Sequence, residues 1–244
     1  MKEAIVNCFA ALTEKLEVAR SDFVVNAEAV KGLIAVLGSE PQLTTLQLAA
    51  FDLLRSLGRA QLAKKKILRS EFHEMKVNFV DRVCKQFIMC SAPEQTTDFE
   101  LAIKMQTTVL RVINNFGLDF KQFIEYQEVV AEIMRLVVQS KSPAVQRVAI
   151  MTLKNLNFET SLSERSSLEK NMTGDFLLGV LKAQEQLRDQ VLLIIKQMFR
   201  RLESFKTGSL ELTDNICFLS SPLKVTQFMA LIASVFNEAD EALA

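Results

Sequence analysis

The sequence is poor in residues that break helices and in residues that build active sites. Its 244 residues include 7 Gly, 4 Pro, one His and one Tyr, and no Trp. An all-β fold needs many turns, so the scarcity of Gly and Pro argues against one. The glycines are isolated along the chain, which excludes a glycine-rich phosphate-binding loop. The lone His73 has no metal-site spacing to any cysteine. We therefore expect a protein that is not an enzyme and holds no metal or cofactor.

An excess of charge of one sign is also missing. Lys and Arg number 29, and Asp and Glu number 29, so the formal net charge is zero. A neutral chain has no general attraction for nucleic acid or for an anionic membrane. The sequence holds no uncharged apolar run of about 18 residues, and charged residues near Lys2 argue against a signal peptide. The four cysteines show no framework spacing. We expect a cytoplasmic protein in a reducing compartment, without a membrane or nucleic-acid partner.

Helical periodicity is the strongest pattern that the sequence contains. Apolar residues make up 49% of the chain and recur three and four positions apart, as the buried face of a helix requires. The first predicted helix runs from Lys2 to about Ala19 and breaks at Ser21-Asp22. It would turn five apolar residues inward on one face: Ile5, Val6, Phe9, Leu12 and Leu16. Further helices are predicted over 26–37, 43–63, 75–89, 99–116, 120–138 and 145–158. The sequence therefore predicts an all-α fold.

A four-residue pattern repeats along these helices: apolar, basic, polar or small, apolar. It occurs at Leu54–Leu57, Leu110–Ile113, Leu153–Leu156 and Ile195–Met198, at spacings of 56, 43 and 42 residues, with its third position apolar in the second copy. Prolines at 41, 93 and 143 follow helix stops at spacings of 52 and 50 residues. Proline disfavours helix in the residue before it, so each marks a boundary. We predict one domain over 1–244, with unit boundaries near 41, 93, 143, 184 and 222.

The long helix with Leu-Lys-Asn-Leu at its centre resembles the helices of armadillo and HEAT repeats. This resemblance covers nearly the whole chain and implies a right-handed α-solenoid of about five units that binds other proteins. In armadillo proteins that hold extended peptides, a ladder of asparagines clamps the backbone of the ligand. The ladder corresponds here to Ser56, Val112, Asn155 and Gln197, and Asn115, three residues past Val112, could replace one rung. Only Asn155 matches, so the chain departs from the import-receptor and catenin pattern.

A narrower resemblance concerns the segment 54–69. Its Leu-Arg-Ser-Leu, the following Gln-Leu-Ala-Lys-Lys and Ile-Leu-Arg, and the later Leu-Lys-Asn-Leu-Asn-Phe are similar in style to rotatin-family proteins. These are large armadillo-like scaffolds of centrioles and ciliary basal bodies. The resemblance implies a segment of a longer scaffold, located at the centrosome or basal body, whose partner is another centriolar protein.

Two surfaces are predicted to bind a helix or peptide segment of another protein. The first combines the ladder with the row one turn beyond it, a mixture of Arg, Asn and Phe that suits an interface: Ser56, Arg59, Asn115, Asn155, Phe158, Gln197 and Arg200. The second is the last predicted helix, 224–236, which is apolar on more than one side and carries Phe228 and Ile232. Either a partner covers this helix or it wraps into the core as a cap.

Two alternatives remain open at this stage. The basic segment from Arg55 to Arg69 is either a solvated helix end or a site for an acidic protein partner. The alternative to a scaffold is a function of another class, namely an armadillo-type adaptor that acts in transport or associates with nucleic acid. A complete asparagine ladder or a net basic surface would favour that adaptor, and the sequence contains neither.

Overall fold

The structure, a computed structural model, describes residues 2–37, 44–61, 64, 73–91, 98–117, 121–157, 174–183 and 185–195. All regular elements in these ranges are helical, which confirms the all-α prediction for the described part of the chain. The chain divides into two compact units, Met1–Leu168 and Glu169–Ala244.

The helices of the first unit follow the predicted order. They are α1 (Lys2–Lys15), α2 (Glu17–Val25), α3 (Ala27–Val36), α4 (Thr45–Leu57), α5 (His73–Ser91), α6 (Phe99–Phe116), α7 (Gln127–Gln139) and α8 (Pro143–Asn157), with a 3₁₀ turn η1 (Lys121–Glu125) before α7. The bounds predicted for α6 are confirmed. The end predicted for the first helix, about Ala19, is wrong, because α1 ends at Lys15. Leu16 is extended, with φ −115° and ψ 116°, and α2 runs through the predicted break at Ser21-Asp22.

Local sequence signals explain where several helices begin. Thr44 and Gln47 form a capping box at α4, in which each side chain binds the main-chain amide of the other at 3.0–3.1 Å. Asp98 accepts from the amide of Leu101 at 2.9 Å and so starts α6. Pro143 occupies the first position of α8, where a missing amide proton costs nothing.

The helices of the first unit pack in two rows. In the first row α1 packs on α4, α4 on α6, and α6 on α8; in the second row α3 packs on α5, and α5 on α7. The rows are joined by the pairs α3–α4, α5–α6 and α7–α8. Pro143 is the first residue of α8, and positions 41 and 93 fall in the segments between α3 and α4 and between α5 and α6. Each proline therefore stands in the sequence between the helices of a pair or at the start of the second one.

In the core of the first unit, the end of α6 packs against α5 and against the end of α4. Phe116, fully buried at the end of α6, packs against Phe79 of α5 with ring centroids 5.1 Å apart. A Cβ atom placed on Gly58, just after α4, would lie 2.6 Å from Cε2 of Phe116. Glycine at this position therefore permits the close approach of α4 and α6.

α1 differs from the prediction in the face that it buries. Two polar residues of α1 contact α4: Glu3 accepts from Oγ1 of Thr45 at 2.8 Å, and Glu14 pairs with Arg55. Four of the five residues predicted to face inward are half-exposed: Ile5 by 50%, Phe9 by 43%, Leu12 by 45% and Leu16 by 53%. The apolar stripe is real, but α4 does not cover it.

The second unit is described over two short stretches. α9 (Gly174–Ala183) packs on the 3₁₀ turn η2 (Glu185–Leu187), which leads into a helical stretch over 188–195. Leu177, Val180 and Val191 are buried in it. The predicted boundaries near 184 and 222 and the predicted last helix lie outside the described residues. Among the helices that the structure describes, none is long and apolar enough to cross a membrane.

Candidate protein-binding surfaces

Ser56, Asn115 and Asn155, which we call the asparagine row, occupy corresponding places in three stacked helices. Nδ2 of Asn115 in α6 donates to the main-chain carbonyl of Arg55 in α4 at 2.9 Å. Nδ2 of Asn155 in α8 donates to the carbonyl of Asn114 in α6 at 3.0 Å and to its Oδ1 at 3.1 Å. These bonds join residues that are 60 and 41 positions apart. Each asparagine thus binds the preceding helix of the first row in the same way.

This row corrects the register that the sequence pattern suggested for α6. Val112, the predicted ladder position, is fully buried in the core, and Asn115 lies one turn further along. The repeated segment is therefore Leu54–Leu57, Ile113–Phe116 and Leu153–Leu156, with Ser, Asn and Asn in third place. Both registers keep the apolar spacing of the helix, so the pattern could not separate them.

The amides of the asparagine row hold neighbouring helices together. The last carbonyls of a helix have no partner within it. After α4, the amides of Gly58 and Arg59 bind the carbonyls of Leu54 and Ser56, and the carbonyl of Arg55 accepts from Asn115 instead. Ser56 is fully buried, and its Oγ has no hydrogen-bond partner in the described residues. The row serves packing in this structure, and partner binding by it stays a prediction.

Arg59 lies in an ion-pair cluster between α1 and α4. It pairs with Glu14 of α1, whose Oε2 is also 3.3 Å from Nη2 of Arg55. Nε of Arg55 in turn lies 3.1 Å from Oδ1 of Asp52. Two carboxylates therefore offset two of the cations in the basic segment, and Lys64 is buried. The other cations of that segment, at 65, 66 and 69, lie outside the described residues, as do the predicted binding residues Phe158, Gln197, Arg200, Phe228 and Ile232.

A cleft on the second row of helices was not predicted from the sequence. It has a volume of about 740 Å³ and lies between one face of α5 and the segment that enters α7. We call it the α5–α7 cleft. Its apolar part is formed by Ile88, Met89 and Val129. Three carboxylates line it as well: Asp81, Glu125 and Glu128. The residues of α5 recur three and four positions apart, but they meet the α7 residues only through folding, so no local motif marks the cleft.

The α5–α7 cleft is electronegative. The single lysine that lines it, Lys85, lies 2.8 Å from Asp81 and is offset by it. Glu125 and Glu128 are exposed and form no ion pair within the described residues. Burial raises the pKa of Tyr126 in the same cleft, and the neighbouring Asp81 and Glu125 raise it further. An apolar surface with negative charge beside it suits a ligand that carries both apolar and basic groups.

The described part of the chain contains neither a reactive cysteine nor a group of side chains that could bind a metal ion. Burial raises the pKa of Cys90 to about 12 and raises that of Cys84 further above its ordinary value. Such thiols stay protonated near neutral pH and are poor nucleophiles. In the ranges that the structure describes, no three His, Cys, Asp or Glu side chains come together to hold a metal ion. The side chain of His73 lies outside the description.

Comparisons with known proteins bear on the fold. No protein-family model matches the chain, and no curated protein sequence matches it. Among solved structures, the chain is similar to the crystal structure of an engineered protein from the Northeast Structural Genomics Consortium. The TM-score is 0.59 and the sequence identity 15%, over 95% of this chain and 90% of that chain. At this identity the similarity concerns the fold alone.

Proposed function

We propose that the chain is a non-enzymatic scaffold with an armadillo/HEAT-like right-handed α-solenoid of about five units. The two rows of helices in the first unit support this proposal, because stacking of equivalent helices is how a solenoid buries its core. The repeated bonds from Asn115 and Asn155 support it further, since they link successive first-row helices in the same way.

The function that we propose is binding of a partner protein through a segment with both apolar and basic side chains. The observation that carries it is the α5–α7 cleft, where Ile88 and Met89 lie beside the carboxylates of Glu125 and Glu128, which form no ion pair with any residue that the structure describes. Apolar side chains of the partner would bury surface against Ile88 and Met89. A Lys or Arg of the partner would approach the carboxylates, which gives specificity and speeds association.

We propose further, from the resemblance of the sequence to rotatin-family scaffolds, that this partner is a centriolar or basal-body protein. The asparagine row with Arg59 and the last predicted helix remain proposed second surfaces. A tagged chain that concentrates at centrioles in dividing cells would support the centriolar assignment. A uniform cytoplasmic distribution would contradict it and leave the cleft proposal standing.

The binding proposal is tested with a displayed library of random peptides of about 15 residues that lack Tyr and Trp. We expect enrichment of peptides that combine Lys or Arg with Leu, Met or Phe. The protein has one tyrosine and no tryptophan, so its intrinsic fluorescence reports Tyr126 in the cleft directly. Titration of an enriched peptide should change this fluorescence. The double variant Glu125→Lys/Glu128→Lys should weaken binding by about tenfold or more, because it reverses the charge beside the apolar part.

The matched control is Glu28→Lys/Glu100→Lys. It makes the same change in net charge at two highly exposed carboxylates on α3 and α6. Screening confines charge effects to about 8 Å at physiological salt, so we expect less than about a twofold change. Equal binding by the cleft variant would contradict the proposal. If Arg59→Glu/Asn155→Ala or Phe228→Asp/Ile232→Asp loses peptide binding instead, the binding site lies on one of the two surfaces predicted from the sequence. Selection of basic peptides without apolar residues would favour the transport-type alternative.

A further inference from the structure

Glu14 connects α1 to two arginines at the end of α4. It pairs with Arg59, and its Oε2 lies 3.3 Å from Nη2 of Arg55. Glu14 stands in the last turn of α1, where a negative charge opposes the helix dipole. The carboxylate therefore does not stabilise α1 itself, and its favourable interactions are those with the arginines of α4.

The contact of α1 with α4 buries little of α1. Of the residues of α1, all of which the structure describes, only Thr13 is buried. Glu3 binds Thr45 near the start of α4, and Glu14 meets Arg55 near its end, so the two helices run parallel. Because no apolar residue of α1 is buried, the hydrophobic effect contributes little to holding this helix in place.

Three buried polar atoms at this contact lack hydrogen bonds within the described part of the chain. Ser56 of α4 stands where α6 and α8 carry the asparagines of the asparagine row, but its Oγ binds no carbonyl of α1. Arg20 of α2 donates through Nη1 to the carbonyl of Thr13 at 2.8 Å, while its Nε has no partner. Oε2 of Glu14 is also without a hydrogen bond, since its ion pair with Arg55 lacks the required geometry. Water would satisfy these atoms if α1 were released, which lowers the cost of release.

Release of α1 would uncover a site for another carboxylate. Asp52 lies 3.1 Å from Arg55 and stays beside it on α4, whereas Glu14 is the counter-ion of Arg59 within the described residues. The guanidinium of Arg59, 45% exposed with α1 in place, would then lack a counter-ion. Glu14 shows which group fits there, namely a carboxylate on a helix that lies along α4.

We propose that α1 is a displaceable helix that fills, through Glu14, an arginine site on α4, and that an acidic helix of a partner protein binds this site when α1 is released. α1 is then an autoinhibitory element, because the carboxylate of the partner takes the place of the Glu14 carboxylate. One ion pair replaces another, so no charge is left unpaired by the exchange. The proposal does not depend on the α5–α7 cleft, which is expected to bind basic segments.

Thiol labelling of the full chain tests whether α1 is released. In a Cys8→Ser/Cys217→Ser background, Thr13→Cys places a thiol at the buried position of α1. Cys84 and Cys90, both buried in α5, are the internal reference. The introduced thiol should react at least about 100-fold faster than these two, because local opening requires less free energy than global unfolding. Equal labelling rates would overturn the proposal.

A charge swap tests whether the ion pair holds α1 on α4. Glu14→Arg and Arg59→Glu each bring like charges together, so each should raise the labelling rate of the introduced thiol by about tenfold or more. The combination Glu14→Arg/Arg59→Glu restores opposite charges and should return the rate to within about threefold of the starting value. An unchanged rate in both single variants, or no recovery in the combination, contradicts the role of this pair.

Binding of an acidic helix is measured by fluorescence anisotropy with a labelled, alanine-based peptide of about 20 residues. Two Glu residues of the peptide stand eleven positions apart, as Glu3 and Glu14 do in α1. Glu14→Arg should bind this peptide at least about tenfold more tightly than the wild type, because α1 no longer competes for the site. Arg59→Glu also releases α1 but lacks the site, so it should show no gain. A peptide with Gln in both places should lose the binding.

The matched control is Glu28→Arg, which makes the same charge change on α3 at a side chain that is 82% exposed. Because screening confines its effect to about 8 Å at physiological salt, this variant should bind the peptide like the wild type. An equal gain in Glu28→Arg or in Arg59→Glu would mean that net charge or unspecific exposure causes the binding, and the arginine site would be wrong. No gain in Glu14→Arg, in a variant whose labelling shows that α1 is released, would overturn it as well.

Discussion

Gly58 shows how closely α6 approaches the end of α4. In Gly58→Ala the new Cβ would lie 2.6 Å from Cε2 of Phe116, whose ring is fully buried against Phe79. The ring cannot move without displacing core atoms, so we expect a loss of about 1–3 kcal/mol in the free energy of unfolding. The midpoint of urea unfolding, followed by circular dichroism, measures the effect.

The matched control for this substitution is Gly32→Ala. Gly32 lies exposed within α3, and a Cβ there would meet nothing within 4 Å. Alanine has the higher helix propensity, so this variant should gain up to about 1 kcal/mol. If both variants shift the midpoint in the same direction, helix propensity governs both sites. The close approach of Phe116 to Gly58 would then not affect the free energy of unfolding.

At the residue scale the sequence predicted which residue types matter but not their register. Leu110–Ile113 and Ile113–Phe116 both place apolar residues three positions apart on α6, so either segment can be aligned with Leu153–Leu156. The contacts decide between them, because Asn115 reaches the carbonyl of Arg55 while Val112 is buried. Register between helices separated by 60 residues depends on packing that no local pattern contains.

At the scale of the helix, Asn115 and Asn155 link the first-row helices α4, α6 and α8. Asn115→Ala and Asn155→Ala each remove the donor to a carbonyl near the end of the preceding helix. We expect each substitution to lower the free energy of unfolding by about 1 kcal/mol, up to about 2 where the carbonyl stays shielded from water. Urea unfolding of the single and double variants measures these losses.

Asn7→Ala is the control for both substitutions. Asn7 is an exposed residue of α1, so this variant makes the same gain in helix propensity without removing an interhelical bond. Its stability should stay equal to that of the wild type or rise slightly. Losses no larger than this control would mean that water replaces the asparagine amides without cost.

The helical type and the order of the elements were predictable from periodicity. Which neighbouring element packs on each face of a helix was not. The pattern of α1 identified an apolar stripe correctly, but Glu3 and Glu14 contact α4 while Ile5 and Leu12 stay half exposed. Periodicity shows that apolar residues share a side and does not show what packs on that side. The α5–α7 cleft escaped prediction for a related reason, since its two walls lie about 40 residues apart in the chain.

At the scale of the whole molecule, the unit Met1–Leu168 contains its own core. Both rows of helices lie within it, and so do the asparagine row and the α5–α7 cleft. A unit with an internal core is expected to fold without the rest of the chain. We predict that the fragment 1–168 is helical, unfolds cooperatively in urea and shows the same Tyr126 fluorescence as the full chain.

The fragment 1–140 is the informative comparison, because it ends between α7 and α8 and removes the helix that packs on both α6 and α7. Exposing those apolar faces should lower the unfolding midpoint strongly or cause aggregation, since a repeat cannot bury its hydrophobic face alone. Equal stability of the two fragments would mean that α8 contributes little to the rows. Loss of cooperative unfolding in the fragment 1–168 itself would show that its core depends on residues 169–244, and the two units would then have to be treated as one folding domain.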